Sequence, residues 1–212
     1  MKLSLASYGL AALITLPALG SAGTLTWNFL NDVPSASSGV AVGSPHSFAD
    51  TQSDPTLLTA SIVQGSSTQL FEKNDGGDEV GLGIFGLPDN EISTTSKIKL
   101  DLSSLLALSP TSISVALSSV QRGEGGFVEY GATSAGFNVS DENAHTLNLS
   151  TLSADGGYIE VYATSGNVLV ADITAVTPKS SVPEPADAGF LALGLLALTG
   201  CKLHRKFQAA KI

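Results

Sequence analysis

At 212 residues, with 19 acidic against 10 basic side chains, the chain carries a formal charge of −9. That balance repels nucleic acid and anionic lipid headgroups and argues against a role in binding either. The single cysteine, Cys201, excludes an internal disulfide, so a folded domain must be held by its core.

Met1-Lys2 precede an apolar stretch over residues 3–19 and then the small residues Gly20, Ser21, Ala22 and Gly23. One positive charge, an apolar segment and a small-residue end predict a secretory signal helix over residues 1–22. Cleavage after Ala22 fits best, with cleavage after Gly20 as the alternative. Pro17 and the small residues around it argue against a first membrane-spanning helix.

Residues 23–176 read as one β domain, long enough to bury a proper core. Between residues 23 and 181, seventeen acidic residues face five basic ones, so the charge is concentrated there. Short alternating runs are separated by Gly, Ser, Asp and Asn. In residues 97–102, Ile98, Leu100 and Leu102 point one way and the charges the other. Residues 112–117, 146–150, 158–163 and 167–176 repeat the pattern. Residues 25–30, 57–64, 68–72, 80–85 and 127–130 are earlier candidates. Period-two alternation between turn residues predicts strands with one wet face. About ten strands without a convincing helix imply an all-β fold, an antiparallel two-sheet sandwich of jelly-roll-like form. Leu102, Leu105 and Leu106 allow one helical turn before Pro110. Residues 34–45, rich in Ser, Gly and Ala, read as a surface loop.

Gly81, Gly83 and Gly86 match the dinucleotide fingerprint by letter. That fingerprint works only between a strand and a helix whose N-terminus holds the pyrophosphate. Pro88-Asp89-Asn90 and another strand follow instead, so the reading is a glycine-rich strand and turn. Asp75, Asp78 and Glu79, on a segment containing Gly76 and Gly77, are candidate calcium ligands, because hard cations take several oxygens from a flexible loop. The alternative for them is a solvated turn. No Gly-x-Ser-x-Gly elbow is present. His46, in the expected loop, and His145, at a turn, are thin material for zinc or copper and read as solvated. Carboxylate pairs for glycoside hydrolysis cannot be selected by spacing. No enzyme activity is expected.

Tyr158, Glu160 and Tyr162 share one face of one strand, opposite Ile159 and Val161, and form a candidate saccharide face. Trp27 and Tyr130 are further aromatic candidates for it, with a place in the core as the alternative for Trp27.

Residues 177–185, with three prolines, predict a stiff stalk. They end in Val182-Pro183-Glu184-Pro185. An uncharged run over residues 188–201 follows, apolar all round as a membrane helix is, though short of the ~20 residues that span a bilayer comfortably. Lys202, Arg205 and Lys206 then form a basic end, which the positive-inside rule keeps cytoplasmic. Residues 186–212 are thus expected to be a transmembrane helix with a basic tail.

This order of motif, apolar helix and basic cluster resembles the PEP-CTERM sorting signal of Gram-negative bacteria, with a basic end interrupted by Leu203 and His204. The resemblance implies processing by a membrane-embedded exosortase near Pro183-Glu184-Pro185. It also implies an inner-membrane-anchored intermediate and a final place at the cell surface or outside the cell. The expected role is structural or adhesive, in an exopolysaccharide or biofilm matrix. A carbohydrate-binding module is the alternative and a secreted hydrolase a weaker third. The exosortase, the secretion machinery and exopolysaccharide are the expected partners.

Overall fold

Apolar side chains recurring at every second position can be hidden only if one side of each strand is covered. The computed structural model describes residues 23–51, 56–131 and 134–178, and it covers them by packing two sheets face to face. The first sheet contains β1 (Gly23–Trp27), β2 (Gly39–Gly43), β5 (Gln69–Gly76), β6 (Glu79–Ile84), β7 (Ile92–Ser93), β9 (Ser112–Ser118), β12 (His145–Thr146) and β14 (Asn167–Thr177). The second contains β3 (His46–Ala49), β4 (Leu57–Gln64), β8 (Lys97–Asp101), β10 (Gly125–Tyr130), β11 (Ala135–Val139) and β13 (Tyr158–Ser165). All pairings between these strands are antiparallel.

The second sheet runs β11-β10-β13-β8-β4-β3. The first runs β12-β9-β14-β6-β5-β2, and β1 and β7 also pair with β14. One edge of β14 therefore bonds β9, while the other is shared in turn by β7 at Asn167 and Val168, β6 at Val170 and β1 from Ile173 to Thr177. The inner faces meet in an apolar core in which Trp27, Phe48, Leu70, Ile98, Val161 and Ile173 are wholly buried. The alternation expected for residues 158–163 is seen directly: Ile159, Val161 and Ala163 are buried, and Tyr158, Glu160 and Tyr162 are half-buried.

The glycine motif is explained by packing. Gly81 has φ +148°, and a Cβ there would stand 2.4 Å from the carbonyl oxygen of Val170 on β14. A Cβ on Gly83 would stand 2.1 Å from the carbonyl oxygen of Asn90. Both glycines lie in β6, and a short 3₁₀ turn, Pro88–Asn90, follows instead of a long helix.

Several expectations need correction. The described residues form fourteen strands, against about ten expected. Residues 34–45 are not one loop, because β2 pairs there with β5 and β3 follows directly after a cis Ser44–Pro45 bond. Val40 and Val42 do alternate in this edge strand, but two valines among Gly39, Ala41 and Gly43 are too short a pattern to stand out in a Ser-, Gly- and Ala-rich run. The run 146–150 is a strand only at Thr146, for Asn148 turns the chain into helix α2 (Leu149–Ala154). Its side-chain oxygen accepts from the amides of Ser150 and Thr151, an N-cap that outweighs the two-residue period. The expected turn of helix at Leu105 and Leu106 is α1 (Ser103–Leu106). The signal helix, the Pro-rich motif and the apolar tail lie outside the described residues. Among the described residues, no helix is long and apolar enough to cross a membrane.

Gly81→Ala is expected to destabilise the domain by about 3 kcal/mol or more, because backbone must move. Gly86 has φ +81°, and a Cβ there would meet no neighbour within 4 Å. Gly86→Ala should therefore cost only about 1 kcal/mol, the backbone strain alone. Chemical denaturation of the two variants side by side measures the difference.

Candidate functional site

Three groups of polar side chains stand out, one on each outer face and one between the sheets.

The outer face of the second sheet carries the candidate saccharide residues. Alternation puts Tyr158, Glu160 and Tyr162 of β13 in a row, and antiparallel pairing sets Lys97 and Lys99 of β8 and Phe127 and Glu129 of β10 beside them. Lys97 Nζ donates to Glu129 Oε2 at 2.7 Å and to Glu160 Oε2 at 3.4 Å. The same ammonium lies 4.5 Å from the centre of the Tyr162 ring, and that of Lys99 lies 3.8 Å from the Tyr158 ring. Both tyrosine faces are thus engaged by cations, which such rings attract through their electron-rich faces. The hydrogen bond from Lys97 holds the Glu129 carboxyl below its ordinary range. Phe127 packs on Tyr162 with ring centres 5.4 Å apart. Trp27 and Tyr130 are not part of this face. Both belong to the core, where Trp27 Nε1 donates to the Thr56 carbonyl and the Tyr130 hydroxyl accepts from the Asn148 amide.

The candidate calcium ligands sit on the β5–β6 hairpin. Lys73, buried on the outer side of β5, donates to Glu79 Oε2 and to Glu91 Oε1, the latter at 2.7 Å. Ser119 Oγ donates to both carboxylates, and Gln121 Nε2 also donates to Glu79. The contact with Lys73 holds Glu79 well below the usual carboxylate range, whereas burial pushes Glu91 up. Asp75 is half-exposed, 4.0 Å from the Lys73 ammonium. Asp78 lines a shallow surface groove of about 350 Å³ with Glu142 and Asp172. Glu79 already has a counter-charge, so a calcium ion at Asp75, Asp78 and Glu79 would compete with Lys73.

The third group joins the sheets. Glu72 precedes Lys73 on β5 and points the opposite way, into the interior, where it is wholly buried. Its Oε2 accepts from the backbone amide of Asp32, on the β1–β2 connection, at 2.9 Å. Its Oε1 has no hydrogen-bond partner. His46, the first residue of β3, faces it with Nε2 4.0 Å from Glu72 Oε1 and 3.0 Å from Asp32 Oδ2. Burial pushes the Glu72 carboxyl up to about 7, and the neighbouring Asp32 charge adds to this against the backbone amides of Asp32 and Val33. His46 is therefore not a solvated loop residue. It packs edge-on against Phe48, with ring centres 4.8 Å apart, and its side chain is only 26 % exposed. Among the described residues, this is the set of histidine and carboxylate side chains gathered closely enough to hold a metal ion.

Sequence reasoning missed this group because its members are separated by up to forty residues and lie on different sheets. The available signal was Glu72 at an apolar-face position, two residues from Leu70 in an alternating strand.

A scan against protein-family models, a search of curated proteins and a search of solved structures each returned no match.

The raised Glu72 pKa makes its ionisation unfavourable in the folded state. Below the ordinary carboxyl pKa of 4.5, Glu72 is protonated folded or unfolded; between there and about 7 only the folded chain keeps the proton. Stability is lost as pH rises through that window, by about 3 kcal/mol at most from this group. In chelator-containing buffer, Glu72→Gln should melt above the parent at pH 8, and the gap should close toward pH 4.5. Paired melting curves across that range test it.

Proposed function

We propose that the chain is an exported surface or extracellular-matrix protein, sorted through a PEP-CTERM tail and serving a structural or adhesive role in an exopolysaccharide matrix. The observation that carries this reading is the ordered tail: Val182-Pro183-Glu184-Pro185, the uncharged run 188–201, then Lys202, Arg205 and Lys206. The apolar start of the chain, ending in Gly20, Ser21 and Ala22, supports export independently.

The domain is compatible with life outside the cytoplasm. Cys201 and Met1 lie outside residues 23–181, so the folded part has no sulfur to oxidise. Its first strand begins at Gly23 and its last ends at Thr177, and these two residues are register partners on β1 and β14. Removal of residues on either side leaves both strands whole. The chain crosses between the sheets repeatedly, for example at β4–β5, β8–β9, β9–β10 and β13–β14, which supports the jelly-roll-like form of the sandwich.

For the protein recovered from its host, the expected mass is that of a species starting near Gly23 and ending near Pro185, found outside the cell. A membrane-bound species that keeps residues 202–212 would overturn exosortase processing and make the tail a plain anchor.

The alternative, a carbohydrate-binding module, is favoured by one observation: Phe127, Tyr158 and Tyr162 lie with Glu160 and Glu129 on an open sheet face. On that reading, a sugar ring replaces a lysine over a tyrosine. Pull-down on the host's polysaccharide should then weaken at least tenfold in Tyr158→Ala/Tyr162→Ala. Unchanged retention would remove this face from any sugar contact.

A further inference from the structure

We propose that Asp32, His46 and Glu72 form a binding site for a divalent transition-metal cation such as Zn²⁺, held between the two sheets by one imidazole nitrogen and two carboxylates.

The buried carboxylate points to a missing partner. Glu72 is wholly buried, yet its Oε1 makes no hydrogen bond. Buried polar atoms are almost always satisfied, and an unpaired buried carboxylate oxygen is among the costliest exceptions. Lys73, next along the strand, shows how this fold treats a buried charge, because it is met by Glu79 and Glu91. Glu72 faces an imidazole and the Asp32 carboxylate, with no lysine or arginine paired to it among the described residues. Two acids and one histidine thus converge with no cationic side chain between them, an arrangement that a metal cation would bridge.

The geometry suits one. The candidate donor atoms of the three residues all lie within 4.8 Å of one another, with His46 Nε2 at 3.0 Å from Asp32 and 4.0 Å from Glu72. Ligands bonded at roughly 2.0–2.2 Å to one ion stand about 3–4 Å apart, so small side-chain rotations complete the set. A nitrogen with two carboxylate oxygens suits zinc or manganese better than calcium, which takes six to eight oxygens. Water would fill the remaining positions.

The site is also built rather than accidental. Phe29 holds the β1–β2 connection down: it is wholly buried and stacks edge-on against Phe48, with ring centres 5.1 Å apart. It does so at φ 52°, a left-handed conformation that is strained for a bulky side chain. Asn31 Nδ2 donates to the Ala49 carbonyl and the Asp32 amide to Glu72, so both sheets fix where Asp32 lies. Asp32 is half-exposed, which leaves an entry path from solvent.

The test uses tag-free full-length protein, stripped with chelator and then given micromolar Zn²⁺. Native mass spectrometry should count one retained ion per chain, and the melting midpoint should rise and fall back on adding chelator. Glu72→Gln, which keeps the shape of the side chain and cannot ionise, should retain no ion and show no rise. His46→Gln should behave likewise. Failure of the parent to retain zinc, or equal retention and an equal rise in both variants, would overturn the proposal. So would selective retention of Ca²⁺ in place of Zn²⁺.

Discussion

The fold depends on how closely β14 can be approached. This strand bonds β9 along one edge and meets β7, β6 and β1 in succession along the other. Of the three partners on that edge, β6 makes the tightest approach at Gly81, while Gly83 leaves room for the turn at Asn90. Where Gly81 crosses Val170, no side chain fits between the two backbones. The rest follows from this seam. The sheet stays continuous, the apolar faces of β14 and β13 can meet across the interior, and a core without any disulfide closes around Trp27, Phe48 and Ile173.

Charge is handled differently on the two sides of β5. Lys73 points outward into a pocket made by Glu79, Glu91 and Ser119, and each of these side chains has a partner of opposite or complementary kind. Glu72 points inward, and one of its oxygens lacks a hydrogen bond. Breaking a satisfied buried pair is expensive, whereas a buried carboxyl with an unpaired oxygen is a standing cost to the fold whether it keeps its proton or loses it. A cation bound there, as proposed, would be a physical reason for the chain to keep Glu72 where an apolar residue would stabilise the metal-free domain.

The outer face of the second sheet tells a more restrained story than its composition suggests. Its tyrosines are paired with Lys97 and Lys99, and its carboxylates with Lys97. A row of cation-capped rings and salt bridges keeps a flat sheet face well solvated, which would suit the proposed matrix role whether or not sugar binds it. Adhesion to a neutral or weakly charged polymer, in a domain this acidic, would draw on such mixed polar and aromatic surface rather than on a deep cleft.

The two-sheet antiparallel character was legible in residues 57–64, 97–102, 112–117 and 158–163, because a period of two leaves a strand no other way to hide its apolar side. The shared face of Tyr158, Glu160 and Tyr162 follows from the same rule. The glycine-rich run was readable as a strand from what comes after it, although its reason, the approach of β14, was not. The edge strand β2 was passed over because its alternation is only Val40 and Val42 within a Gly-, Ser- and Ala-rich run, and α2 was hidden because one cap residue, Asn148, overrides local alternation. The grouping of Asp32, His46 and Glu72 could not be read at all. Sequence by itself determines which residues alternate, which segments are apolar and where the charge lies, since these are local properties of the chain. Only the tertiary structure decides which strands become neighbours, and so which side chains forty positions apart share one buried space.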